Sequence, residues 1–191
     1  AGSRLDSVGR PCPGQDLKIL GDDDRELPPG EAGEIVGYGR LVMSGYNRRE
    51  EANEEATWTD GAGRRWLRTG DIGRLDDDGF LYLVDRKKDM IITGGQNIYP
   101  ADIEQVVLEH PAVREVAVIG VSSEKWGETP LAVIVPGDDA PDTESLVGWV
   151  NERVGKQQRI AGAVLRDELP RNPNGKILKR ELRDEYASLR F

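Results

Sequence analysis

At 191 residues, with 26 Lys and Arg against 35 Asp and Glu and a net charge of −9, the chain has room for one large domain or two small ones. A negative balance of this size repels nucleic acid and anionic lipid, which excludes an electrostatic grip on either. A single cysteine, Cys12, leaves no internal disulfide, and a single histidine, His110, removes most zinc and Ser-His-Asp schemes. No apolar run approaches about 18 residues, so the chain reads as a soluble, cytoplasmic protein with no transmembrane segment, whose chemistry rests on Lys, Arg, Asp and the backbone.

In chain order, the first segment reads as β structure broken by Pro11-Cys12-Pro13-Gly14 and Pro28-Pro29-Gly30, with Leu17–Leu20 and Glu34–Val36 as short strands. Glu50 to Ala56 is acidic and helix-permissive. Asp71–Leu75 and Phe80–Val84 flank Asp76-Asp77-Asp78-Gly79, a hairpin closed by an Asp-Gly pair. From Lys87 the pattern changes to alternating helix and strand. Tyr99-Pro100 opens a helix with Ile103, Val106 and Val107 on one face, and His110-Pro111 ends it. Val113–Val121 and Leu131–Val135 read as strands, and Leu146, Val150 and Val154 form a second helical stripe. A Pro/Asn/Gly loop, Arg171–Gly175, precedes a short charged helix from Leu178. The charged run Asp85-Arg86-Lys87-Lys88-Asp89 lies between the two patterns and marks the boundary, giving domains 1–86 and 87–191 with a hinge at 86–89.

Few residues could carry chemistry. Gly37-Tyr38-Gly39 is not a dinucleotide fingerprint, because Val42 stands at the third glycine position and no helix pattern follows. Asp71 alone is a turn former, or a carboxylate able to accept both hydroxyls of a ribose. Arg86, alone a surface charge, sits where the hairpin can bring it beside Asp71. Gly94 and Gly95 in Thr93-Gly94-Gly95-Gln96-Asn97 serve either a positive φ or the close approach of another chain. Lys176, after Pro170-Arg171-Asn172-Pro173-Asn174-Gly175, is an ordinary exposed lysine or a compact charge on a long stem that reaches an anion.

Taken in order, these segments resemble the C-terminal part of the adenylate-forming superfamily of acyl-CoA synthetases, peptide-synthetase adenylation domains and beetle luciferases. The resemblance is carried by Val8-Gly9-Arg10-Pro11, Gly33-Glu34-Ile35, Met43-Ser44-Gly45-Tyr46, Arg68-Thr69-Gly70-Asp71, Asp85-Arg86-Lys87-Lys88-Asp89, Gly94–Pro100 with Ile103-Glu104, and Asn174-Gly175-Lys176. It implies an α+β fold: a β-rich terminal barrel subdomain of the large adenylating domain, then a small α+β C-terminal lid. It implies that Asp71 holds the adenosine ribose with Arg86 in support, and that Lys88 is the hinge. Lys176 would approach carboxylate and α-phosphate, while Gly94, Gly95 and Trp126 would line the pantetheine tunnel. Trp126 is otherwise a buried core tryptophan.

The activity so implied is a fatty-acyl or aryl-acid CoA ligase, joining a carboxylic acid to ATP and then to coenzyme A. Mg²⁺ is expected with ATP, with no ligands for it in this segment. A carrier-protein ligase, a luciferase-like monooxygenase and a non-catalytic binding module are the other readings. The family's phosphate loop and acyl pocket are not in these residues, so the chain reads as a fragment that needs the N-terminal domain of the same chain and is inactive alone. Gly155–Gly162 also lacks the family's aromatic-Lys-x-Pro segment, and no CoA contact is carried over there.

Overall fold

In the computed structural model, which describes residues 4–191, neighbouring apolar residues in the first unit point to opposite faces of one sheet. Ile19 and Ile35 pack with Leu81 on one side, and Leu20 and Val36 pack with Trp66 on the other. Side chains alternate along a strand, so the runs Ile19-Leu20 and Ile35-Val36 are what a strand buried on both faces requires. Residues 1–3 of the expected first domain lie outside the described residues.

The strands of this unit are β1 (Gln15–Leu20), β2 (Gly33–Gly39), β3 (Thr57–Thr59), β4 (Arg65–Leu75) and β5 (Leu81–Arg86), with helix α1 (Glu50–Glu55) between β2 and β3. All pairings are antiparallel: β1 with β2, β2 with β4, and both β3 and β5 with β4. Leu67 pairs with Gly37 on one side and Thr57 on the other, and Ile72 likewise lies between Glu34 and Asp85. The 11 residues of β4 therefore seat two strands end to end along one edge. Expected to form a barrel, this unit is instead an open sheet among the described residues. A barrel needs its first and last strands to pair. Here the outer edge of β5 is met by Gly9, which bridges Leu81, and β1 bridges only its own turn, from Leu20 to Glu26.

The β4–β5 turn shows why Asp-Gly sits there. Gly79 has φ +77° and donates to the Asp76 carbonyl at 2.9 Å. The Asp76 carboxylate accepts the amides of Phe80 and Asp78 at 2.8 and 3.0 Å. The Phe80 amide leads the interactions that hold the Asp76 carboxyl below its usual range.

The second unit, Asp89–Phe191, contains β6 (Ile91–Thr93), β7 (Gln96–Ile98), α2 (Pro100–Leu108), β8 (Val113–Ser123), β9 (Gly127–Pro136), α3 (Thr143–Asn151), β10 (Gly162–Leu165) and α4 (Lys179–Glu185). β8 and β9 form a long antiparallel hairpin, β10 runs parallel to β9, and β6 and β7 form a short hairpin joined to β9 through Thr93 and Gly127. Alternation again divides the core. Val116, Val118, Ala132 and Ile134 face Ile103 and Val107 of α2 and Leu146 and Val150 of α3. Ala117, Ile119, Leu131 and Val133 face Leu169 and Leu182 on the other side. Pro100 begins α2 after an extended Tyr99, and Asp142 caps α3 by accepting from the Ser145 amide at 2.8 Å. The stripe expected to reach Val154 outruns its helix, since α3 ends at Asn151, although Val154 still packs against the core. Glu104 joins three elements, accepting the Val118 amide at 2.7 Å and facing the Lys179 ammonium at 2.7 Å. Among the described residues no helix is long and apolar enough to cross a membrane.

Leu146 is 1% exposed and lies under α3 against the sheet. Leu146→Ala is expected to destabilise the chain by about 2–5 kcal/mol, from lost burial and the cavity left behind, read as a lowered urea midpoint at unchanged m-value.

Candidate functional site

Asp71 and Arg86 stand opposite each other in the β4–β5 register. Arg86 Nε lies 2.7 Å from Asp71 Oδ1, and both side chains keep partial access to solvent. The turn before them is shaped by Gly70 at φ +71°, and by Thr69, whose hydroxyl donates to the Ile35 carbonyl and accepts from the Asp71 amide. The carboxylate is thus fixed from its own backbone and from one cation. Beside this turn runs an open groove lined by Glu34, Tyr46, Arg68, Thr69, Gly70 and Lys87; neither Asp71 nor Arg86 lines it. Arg68 spans Glu34 at 2.5 Å and Asp24 at 2.6 Å. Burial disfavours the charge on Arg68, but the hydrogen bonds to Asp24 and Glu34 outweigh it and raise the guanidinium's pKa.

At the end of this unit Lys87–Asp89 make one turn of 3-10 helix. Lys88 is exposed, and among the described residues its ammonium makes no hydrogen bond or ion pair.

In the second unit, Gly94 and Gly95 are the two residues of the β6–β7 turn, with φ of +57° and +79°. Positive φ at both central positions is the turn that matches strand twist, and it favours glycine. Both positions meet the positive-φ requirement, and they differ in what lies against them. A Cβ on Gly94 would lie 2.9 Å from Trp126 Cε3, and the Gly94 amide donates to the Trp126 carbonyl at 2.9 Å, so Gly94 also answers a close approach. A Cβ on Gly95 would meet nothing within 4 Å.

Trp126 is 40% exposed, so it is not a buried core residue; its indole covers Gly94 and carries the Lys125 ammonium 4.7 Å above the ring. It also lines a cavity of about 330 Å³ with Thr93, Lys156, Arg159, Ile160 and Phe191. Thr93 Oγ1 is buried there without a hydrogen-bond partner. No motif or spacing in the chain announces this cavity, because its lining comes from distant segments. Lys156 and Arg159 belong to Gly155–Gly162, a segment with no recognisable motif, and Phe191 reaches the site because its amide donates to the Ser122 carbonyl at 3.3 Å.

Lys176 closes a small hairpin. Asn172 donates its amide to the Lys176 carbonyl at 2.9 Å, and its side-chain oxygen accepts the amides of Asn174 and Lys176 at 3.0 and 2.9 Å. Gly175 takes φ +81°, and Arg171 holds its carbonyl at 2.6 Å while pairing with Glu115. The backbone at Lys176 is therefore set, while its exposed ammonium has no partner among the described residues. A fixed base with a free, compact cation at its end suits the screening of an incoming anion.

A two-unit chain with a cross-strand carboxylate–guanidinium pair, a diglycine turn under an indole and a lysine-tipped hairpin defines its class by comparison. The AMP-binding enzyme family model matches residues 1–47, and the AMP-binding enzyme C-terminal domain model matches residues 102–176. The chain belongs to this adenylate-forming family and corresponds to its C-terminal part. It is 45% identical over 94% of its length to a long-chain-fatty-acid–CoA ligase of Escherichia coli, of which it spans 31%. The o-succinylbenzoate CoA synthetase of Bacillus subtilis, solved with its acyl-adenylate intermediate, is 42% identical, with TM-score 0.82 over 95% of this chain and 36% of that one. ATP-bound MatB from Rhodopseudomonas palustris is 33% identical, with TM-score 0.88 over 98% of this chain and 37% of that one; for the apo form of the same enzyme the TM-score is 0.65. The chain thus spans about a third of the length of the relatives it matches.

Gly94→Ala would place a side chain both at positive φ and against the indole. It is expected to cost about 1–2 kcal/mol in stability and to displace Trp126, read as a lowered unfolding temperature together with a shifted indole N–H resonance.

Proposed function

We propose that the chain is the C-terminal segment of an acyl-CoA synthetase acting on a fatty or aryl acid. The full enzyme would first let the acid's carboxylate oxygen attack the α-phosphorus of ATP, expelling pyrophosphate. The thiol of coenzyme A would then attack the acyl carbonyl, expelling AMP and forming the thioester. The observation that carries the reading is the Lys176 hairpin, where an ordered backbone presents an ammonium that has no partner among the described residues. The names of the Escherichia coli and Bacillus subtilis relatives support CoA as the acceptor and long-chain or aryl acids as substrates.

Each site residue then has a task. Lys176 offsets the repulsion between carboxylate and α-phosphate as they meet, and so acts where charge is concentrated in the transition state. Asp71, held by Arg86 through Oδ1, accepts the ribose hydroxyls of ATP and AMP. Gly94 and Gly95 give the pantetheine arm a narrow passage along backbone, and Trp126 flanks it. The cavity beyond Trp126, with Lys156 and Arg159 on its wall, suits the anionic end of coenzyme A. Lys88 is the pivot about which residues 87–191 move as a lid after the terminal subdomain of the large domain, 1–86. What supports a pivot there is that the chain divides into two compact units directly after Lys88. Mg²⁺ would enter with ATP, neutralising its phosphates.

Two substitutions in the full-length enzyme test the reading. Lys176→Ala is expected to slow acyl-adenylate formation by about 10²–10³, while supplied acyl-adenylate and CoA still give thioester at nearly the wild-type rate. Equal losses in the two half-reactions, or no loss in either, would remove Lys176 from adenylation. Asp71→Ala is expected to weaken ATP and AMP together, by roughly 1.5–3 kcal/mol for a charge-assisted hydrogen bond, in a calorimetric titration. Unchanged nucleotide affinity would return Asp71 to turn formation alone.

A further inference from the structure

Three consecutive residues at the division between the units are held in three different ways. Lys87 reaches into the first unit, where its Nζ donates to Glu34 Oε2 at 2.9 Å. Glu34 is 6% exposed and also takes Arg68 Nη1 at 2.5 Å, so the carboxylate joins β2, β4 and the end of the unit. Asp89 is held in the second unit, where its Oδ1 accepts from Arg183 Nη1 at 3.0 Å. Asp89 is itself buried, and Arg183 follows Leu182, a fully buried residue that seats α4 on the sheet. Lys88, between them, is exposed and unpartnered among the described residues.

The carboxylates in these pairs are shielded from water, which gives the pairs more weight than exposed ion pairs. Withdrawing the cation from a shielded carboxylate leaves its charge uncompensated, and that resists opening. The side chains on either side of Lys88 are therefore tied to opposite units, each close to where the chain leaves it.

We infer that the Glu34–Lys87 and Asp89–Arg183 pairs are positioning ties that confine the pivot to Lys88. The inference rests on the reading in which residues 87–191 move as a lid. None of the four residues meets substrate in that reading; they act through Lys88. With both ties closed, rotation is limited to the backbone torsions of one residue, which restricts the lid to few orientations. Opening either tie adds its residue to the pivot and widens the set.

The test uses the 191-residue chain with Cys12→Ser and spin labels at Leu41→Cys and Leu108→Cys, both exposed positions, one in each unit. Electron–electron distance distributions are compared for this background and for Lys87→Met, Asp89→Asn, Arg183→Met and Arg183→Lys. Lys87→Met, Asp89→Asn and Arg183→Met are each expected to broaden the distribution, and Arg183→Lys, which can keep the pair, is expected to leave it narrow. In Asp89→Asn, amide exchange over residues 89–91 should rise roughly tenfold or more, the loss expected for one charge-assisted hydrogen bond. Lys87→Met leaves Glu34 paired with Arg68 and removes a side chain that is 46% exposed, so it decides the matter if the buried variants fail to fold. Distributions that stay as narrow in Lys87→Met and Asp89→Asn as in the background would overturn the inference, as would a lowered melting temperature with unchanged width. The readout needs neither ATP nor acid nor CoA, so its failure is separate from failure of the ligase reading, which the half-reactions measure.

Discussion

Backbone pairing along both edges of β9, with side chains buried on both of its faces, positions most of the second unit. One edge carries the whole of β8; the other carries β10 at Leu131–Ile134 and β6 at Gly127. Leu131 to Val135 are completely buried, in alternation between two core clusters. A strand so enclosed cannot slip by one residue without exchanging both cores. Its beginning is thereby a fixed point, and there Trp126 covers Gly94 and the β6–β7 turn is tied on through Thr93. The candidate CoA passage is thus anchored to the most constrained strand of the unit, although it is built from exposed turns.

What the sequence made legible was local. The Asp76–Gly79 turn, the Pro100 helix start and the long apolar runs of β8 and β9 each rest on interactions among near neighbours or on burial that the composition of the run reveals. The hairpin in turn brought Asp71 beside Arg86. What stayed hidden depends on pairing between distant segments. β10 is four residues, Gly-Ala-Val-Leu, whose strand character comes from lying parallel to β9. Phe191 lines the Trp126 cavity because the chain end runs along Ser122. The expected barrel failed for the same reason, since closure is decided by whether β1 meets the last strand, and no pattern within either strand encodes that.

The electrostatics work against the grain of the composition. A chain of net charge −9 is expected to repel ATP, a carboxylic acid and coenzyme A at long range. At physiological ionic strength that repulsion is screened over about 8 Å, whereas a cation at contact distance is not. The basic side chains divide accordingly. Arg68, Lys87, Lys179 and Arg183 are consumed by carboxylates that hold the fold, while Lys88 and Lys176 have no partner among the described residues. In the proposed reading the acidic surface serves solubility, and single placed ammonium groups serve the chemistry.

The open first sheet has a consequence for self-association. Beyond its bridge from Leu20 to Glu26, the outer edge of β1 has no strand partner among the described residues, which leaves a row of backbone donors and acceptors able to pair with a second copy. The strand is not defenceless, because Asp16 and Lys18 place opposite charges along its six residues. The two are not equivalent: Asp16 is exposed, so an apolar residue there would blunt the edge's protection and leave the core untouched, whereas Lys18 pairs with Glu26 and holds its ammonium 5.2 Å from the Trp66 ring, so its replacement would also take a contact from the core.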